Sequence, residues 1–274
     1  MKITGIELNN KLYVALRKRI KIKRYLNKLE RSIRLLPRPA THPEKKFIIF
    51  AQGRSGSTLL VSLMNCHKEI FCDGEILNRL DYGKIYNPLK YINMSTKLSG
   101  INRKKVYGFK VKIYQLVEDQ KYKDYQNILE RLHAEGWYFI HLRRSNIVKQ
   151  SLSNQIYRAQ GFSNTTKAEQ IKKIKIKVVL KHLIKNIERR IKYNELEDEI
   201  LKDIPHLSIN YEKDLLDSES HQQTADKIFH YLGLESCNVE TKYLKISSPK
   251  IQDNISNYDE LYEFLKSKGY EHFL

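Results

Sequence analysis

One stretch near the N-terminal third constrains this chain more than any other. Lys46-Phe47-Ile48-Ile49-Phe50-Ala51 is a short apolar run, the pattern of a strand buried on both faces. Gln52-Gly53-Arg54-Ser55-Gly56-Ser57-Thr58 follows, and then Leu59, Leu63 and Met64 fall on one side of a helix. Strand, glycine turn and helix in that order gather backbone N–H groups and a helix N-terminus around one point, which makes an anion site. Gly53 and Gly56 let the backbone curl closely, Ser55, Ser57 and Thr58 add hydroxyl donors, and Arg54 adds a cation. No Lys precedes Ser57, so the loop departs from the G-x-x-x-x-G-K-[ST] pattern of ATP- and GTP-binding proteins. Gly/Ser turns between strand and helix also occur without a ligand, so a second motif is needed.

That second motif lies about ninety residues on. Trp137-Tyr138-Phe139-Ile140-His141-Leu142 reads as another buried strand, and residues 146–160 as a helix with Ser145 as its N-cap. Arg143 closes the strand and Ser151 stands eight residues later. A guanidinium at a strand end with a hydroxyl from the following helix suits a doubly charged phosphate. Each is equally compatible with an ion pair and an ordinary helix residue when taken alone.

The order Arg54-Ser55-Gly56-Ser57-Thr58-Leu59-Leu60, together with Arg143 and Ser151, resembles the sulfotransferases that use 3′-phosphoadenylyl sulfate (PAPS), in particular bacterial carbohydrate sulfotransferases. The resemblance implies a P-loop-like α/β fold in which Ser55, Gly56, Ser57 and Thr58 hold the 5′-phosphate and Arg54 meets the transferring sulfuryl group. It assigns Arg143 and Ser151 to the 3′-phosphate. Two looser echoes follow. Asn210-Tyr211-Glu212 is similar to a Tyr-Glu-Asp-Leu segment whose Tyr edges the adenine, with Lys213 displacing the acid to Asp214. Lys245, Ser247 and Lys250 fall where a nucleotide-covering loop is expected, before a closing segment at Ile255–Leu261. The resemblance runs from about Phe47 to Leu274, strong at two short motifs and loose between them.

The implied chemistry is in-line attack by an acceptor hydroxyl, with PAP as the leaving product and cations and one base in position; it calls for no metal. Glu75, after Gly74, lies where glycan-modifying members carry a catalytic Glu, and Asp73 is the alternative. Lys110 would hold the acceptor or the sulfuryl oxygens, or serve a structural ion pair. The run Val106–Lys112 contains no His. His67 is read as a helix-end residue, and His133 and His141 as capping or packing groups.

Composition narrows the remainder. The 274 residues carry a net charge of +19 and are 41% hydrophobic, so the chain folds and seeks anionic partners. Eleven Lys or Arg against one acid, Glu30, lie between Lys11 and Arg38, with Leu12, Leu16, Ile20, Leu26, Leu29, Ile33 and Leu36 at helical spacing. Residues 1–44 are therefore read as a basic amphipathic helical extension, either packed with its charges solvated or laid peripherally on an anionic membrane. No zinc-finger or RNA-binding aromatic motif accompanies the charge, so no specific nucleic acid is expected. A second basic helix is read over 167–192. Three cysteines exclude a disulfide scaffold and lack zinc-site spacing, and no apolar run approaches the roughly 20 residues of a membrane span. These readings predict a cytoplasmic protein with a three-layer α/β domain over 45–274 and a mainly parallel sheet of about five strands. Its acceptor would be a carbohydrate or glycolipid. The alternatives are an ATP-dependent phosphotransferase on the same scaffold and a basic nucleic-acid-binding module.

Overall fold

The computed structural model describes residues 22, 25–27, 29, 32, 42–160, 165–166, 175–244 and 250–274. Five strands, β1 (Lys45–Ala51), β2 (Ile70–Cys72), β3 (Val106–Val111), β4 (Trp137–Arg143) and β5 (His206–Asn210), form one sheet in the order β2-β3-β1-β4-β5. Every pairing is parallel, as near-continuous apolar runs require when both sheet faces are covered. Along β1, Phe47, Ile49 and Ala51 point to one face and Ile48 and Phe50 to the other.

Helices α1 (Ser57–Met64) and α7 (Ser220–Tyr231) cover the first face through Leu60, Leu63, Met64, Ile228 and Phe229. The opposite face packs on α3 (Pro88–Ile101), α4 (Tyr125–Ala134) and the C-terminal part of α6 (Leu180–Leu201), around Trp137, Phe109 and Tyr107. A short α2 (Arg79–Tyr82) precedes α3. A third cluster joins α5 (Ile147–Gln160), the start of α6 and α8 (Tyr258–Lys266), through Leu152, Leu183, Ile187 and Leu261. The result is the expected three-layer P-loop-like α/β architecture.

Gly108 shows how tightly the layers meet. A Cβ there would stand 2.1 Å from Cζ of Phe47 on the neighbouring strand, so the bare backbone is what admits the ring.

Two local expectations are corrected. Of the helix read over 167–192, residues 175–179 are non-helical and a helix runs from Leu180 to Leu201, while residues 167–174 lie outside the described residues. Asn146, not Ser145, caps α5: its side-chain oxygen accepts the Lys149 N–H at 2.8 Å. Ser145 Oγ instead accepts from Asn210 of β5. Of the basic extension, Ile22, Tyr25–Asn27, Leu29 and Ser32 are described and helical, and residues 42–44 are described and non-helical. The rest of residues 1–41, and Lys245 and Ser247 near the C-terminus, lie outside the described residues.

Candidate active site

The C-terminal ends of β1, of the paired β2 and β3, and of β4 bring three segments together, as the reversal of strand order about β1 in a parallel sheet demands. The first is the loop Gln52–Gly56. Arg54 and Gly56 take the left-handed backbone region, with φ of 68° and 89°. For Arg54, a side-chain-bearing residue, that is a strained conformation held by its surroundings. Gly56 has a second constraint, since a Cβ would lie 2.6 Å from the Tyr211 ring.

The carbonyls of Gln52, Gly53 and Arg54 are engaged from the protein side. Ser55 Oγ donates to Gln52 O at 2.7 Å. Gln150 Nε2 and Arg190 Nη1 both donate to Gly53 O, each at 3.0 Å. Arg144 Nη1 donates to Arg54 O at 3.2 Å. By contrast, the N–H groups of Gly53, Ser55, Gly56, Ser57 and Thr58 meet no protein acceptor among the described residues.

The second segment carries the acid. Glu75 Oε1 lies 2.7 Å from Lys112 Nζ and 3.3 Å from Lys110 Nζ, and Oε2 accepts from Gln115 Nε2 at 2.7 Å. Burial pushes this carboxyl up, but Lys112 and Lys110 more than reverse it and hold it below the usual carboxylate value. Burial lowers Lys110, with Glu75 opposing and Lys112 assisting. Burial also acts against the charge on Lys112, yet Tyr114 and Glu75 outweigh it and keep that group above its ordinary value. Lys110 Nζ reaches Thr58 Oγ1 at 2.8 Å, so it links the loop's hydroxyl directly to the Glu75 carboxylate. Three residues singled out in the sequence, Thr58, Lys110 and Glu75, thus form one chain of contacts.

Asp73, the alternative acid, is engaged locally, accepting from Gly74 N–H at 2.9 Å and Tyr107 Oη at 3.2 Å. His67 is buried against Phe229 and bonded at the Glu235 carbonyl, and His141 pairs with Glu197 at 3.3 Å inside the core.

The third segment follows β4. Arg143 forms a two-pronged pair with Asp198, at 2.6 and 3.2 Å, and donates to the Asn194 carbonyl at 3.3 Å. Its Nε is buried and without a partner among the described residues, as is Ser151 Oγ. No hydrogen bond joins Arg143 to Ser151 there. The link between Arg143 and the loop runs through α6 instead: Asn194 Oδ1 accepts from Gln52 Nε2 at 2.7 Å. Arg54 Nε donates to Ser153 Oγ at 3.0 Å on α5. Tyr211 lies against Gly56, beneath the Arg144 guanidinium at 4.5 Å. Glu212 anchors this corner by accepting from the Ser145 and Asn146 N–H groups and pairing with Arg144 at 3.3 Å.

Several participants had no motif to announce them: Lys112, Tyr114 and Gln115 beyond β3, and Arg144, Ser153 and Arg190. Arg190 is the most unusual. It is 8% exposed and meets no carboxylate among the described residues. Burial lowers it to about 10; Tyr114 opposes, and the nearby Arg189, Arg144 and Arg54 add to the fall. A signal for it does exist in the sequence. Leu183, Ile187, Arg190, Asn194, Glu197 and Leu201 share one helical stripe, so Arg190 stands on the apolar side of α6. Among the described residues, no group of three or more His, Cys, Asp or Glu side chains is arranged to hold a metal ion, and no helix is long and apolar enough to cross a membrane.

No protein-family model and no curated protein matches the sequence. Among solved structures, the chain is similar to a sulfotransferase from Alicyclobacillus acidocaldarius. The match covers 84% of this chain and 94% of that one, at 11% identity and a TM-score of 0.48.

Proposed function

We propose that the chain is a PAPS-dependent sulfotransferase that moves the sulfuryl group to a carbohydrate hydroxyl. The observation that carries this reading is the polarity of the loop Gln52–Thr58. The carbonyls of Gln52, Gly53 and Arg54 are taken by side-chain donors while five of the loop's N–H groups have no protein acceptor among the described residues. Such a loop is built for an anion. The surrounding side chains fit a bis-phosphorylated nucleotide. Arg54, Arg144, Arg190, Lys110 and Lys112 outnumber the carboxylates Glu75 and Glu212 at the loop. Arg143 Nε and Ser151 Oγ are buried polar atoms that a phosphate oxygen would satisfy.

On this reading Ser55, Gly56, Ser57 and Thr58 hold the 5′-phosphate, and Arg143 with Ser151 holds the 3′-phosphate. Tyr211 and Lys245 would flank the nucleotide. The nucleotide supplies an activated sulfuryl group and a good leaving group. The chain's own residues then do three things. Glu75, ionised at neutral pH, accepts the proton of the acceptor hydroxyl; of the roughly four lone-pair sites on its oxygens, one stays spare beside the three donors they already meet. Lys110 bridges Thr58 and Glu75 and sets the distance between phosphate loop and base. Arg54 and Lys112 place positive charge where negative charge develops.

The acceptor class, a surface glycan, glycolipid or exopolysaccharide precursor, belongs to the same proposal. So does peripheral contact with an anionic membrane by residues 1–44. In that segment Ile22, Leu26 and Leu29 recur at i, i+4 and i+7 and are 60%, 55% and 45% exposed, an apolar stripe suited to a bilayer surface. Flotation on anionic liposomes should be lost when residues 1–44 are removed; flotation that persists unchanged rejects the membrane role.

Transfer of label from PAPS to cell-envelope glycans tests the central reading. Thermal stabilisation by PAP, set against ATP with Mg²⁺ and against an oligonucleotide, tests it independently. Stabilisation by either of the latter, with none by PAP, overturns it in favour of a phosphotransferase or a nucleic-acid-binding module.

A further inference from the structure

Arg190 has no role in the nucleotide contacts just described, and its situation calls for one. It is a buried guanidinium on α6 whose Nη1 donates to Gly53 O at 3.0 Å and approaches Gln52 Oε1 at 3.5 Å. No carboxylate neutralises it among the described residues, and its Nε is buried without a partner. A charge kept that way is costly, and a neutral side chain of similar length would pack with less penalty.

The peptide plane explains what the charge does. In a trans peptide the C=O of one residue and the N–H of the next point in opposite directions. Holding the carbonyls of Gln52, Gly53 and Arg54 toward the protein therefore turns the N–H groups of Gly53, Arg54 and Ser55 the other way. Each carbonyl has its own side-chain anchor: Ser55 for Gln52, Arg144 for Arg54, and both Gln150 and Arg190 for Gly53. The Gly53 carbonyl is the doubly anchored one, and it precedes Arg54, whose positive φ of 68° makes that peptide the strained step of the loop.

We infer that Arg190 is a positioning residue for the anion loop, clamping the Gly53 carbonyl so that the loop's N–H groups face the ligand before it arrives. A charge-assisted bond to a carbonyl outlasts a neutral one, and the unneutralised charge adds to the field that the anion meets. The inference rests on the reading of Gln52–Thr58 as the site of a 5′-phosphate.

Titration calorimetry with PAP and with AMP, on wild type, Arg190→Gln and Gln150→Met, tests it. Arg190→Gln should weaken PAP and AMP by the same factor, about tenfold or more, while the unliganded melting temperature stays level or rises. Gln150→Met, with Arg190 still in place, should weaken both by a smaller factor. A drop in melting temperature with both affinities unchanged would make Arg190 a packing residue only and overturn the inference. Loss for PAP with AMP unaffected also overturns it, by tying Arg190 to the 3′-phosphate. If Arg190→Gln does not fold, Gln150→Met decides alone, and unchanged affinity in that variant counts against the clamp. Wild type that binds neither nucleotide refutes the phosphate-loop reading itself, and the clamp with it; wild type that binds while the variants bind equally well refutes the clamp alone.

Discussion

At the scale of single residues, the proposed function puts the chemistry on Glu75 and the choice of nucleotide on Arg143, and both already hold partners. Glu75 sits between two lysines and a glutamine. Glu75→Gln should therefore keep PAP binding and lose turnover by about 10²- to 10⁴-fold, the range for a general base; single-turnover kinetics against PAP titration separates the two effects. The pH dependence follows from the direction of its shift. A carboxyl held below its ordinary value of about 4.3 stays ionised throughout the neutral and mildly acidic range. Its contribution to stability is full above that value and lost as pH falls through the lower folded one. The acidic limb of kcat/KM should lie below about pH 5 on the same ground, and a limb centred above pH 6 would move the base role to another group. Arg143 meets Asp198, whose side chain is 60% exposed. On the proposed function, a 3′-phosphate would compete with that carboxylate for the same guanidinium. Asp198→Asn removes the competitor, so PAP should bind up to about fivefold tighter, the scale of an exposed ion pair, with AMP unchanged. Weaker PAP binding in that variant would show instead that Asp198 holds Arg143 in its working orientation.

At the scale of elements, the two βα units were the legible part of the chain. Buried strand, turn and helix are local patterns, so β1 with α1 and β4 with α5 can be read directly from residues 46–64 and 137–160. Helix α6 was the opaque one. Its lysine-rich outer face reads as ordinary solvated surface, whereas its contribution is made by the inner stripe and by Asp198 at that stripe's edge. Arg190, Asn194 and Asp198 reach Gly53, Gln52 and Arg143 respectively, partners about fifty to one hundred and forty residues away in sequence. Periodicity shows which side of a helix is inward; it does not show which distant carbonyl or guanidinium waits there. The same limit applies to Lys112, Tyr114 and Gln115, which follow β3 without a motif and meet Glu75 and Gly53 only in the folded sheet. The strands themselves are closely fitted. Gly108→Ala would set a methyl group into the Phe47 ring, and overpacking of this kind costs about 1–3 kcal/mol. Urea denaturation should show a lower midpoint with an unchanged slope, and a paired Phe47→Leu should recover part of the loss.

For the whole molecule, the cations crowded about one loop mean that the unliganded protein carries mutual repulsion that an anion relieves. PAP at a hundred times its Kd should add about 2.7 kcal/mol by mass action, or roughly 5–10 °C in melting temperature for a domain of this size. Salt should weaken that binding, since charge contacts dominate it. The strand order has a consequence of another kind. β1 occupies the centre of the sheet, with Phe50 beside Val111 on one flank and His141 on the other. A ribosome therefore delivers the middle of the sheet first, and its two neighbours, β3 and β4, only after the edge strand β2. At about 5–20 residues per second, Phe47-Ile48-Ile49-Phe50 emerges and waits on the order of ten seconds for β4. Until β3 and β4 arrive, those four side chains would have no sheet neighbours to cover them, so the order of synthesis favours a folding step late in translation.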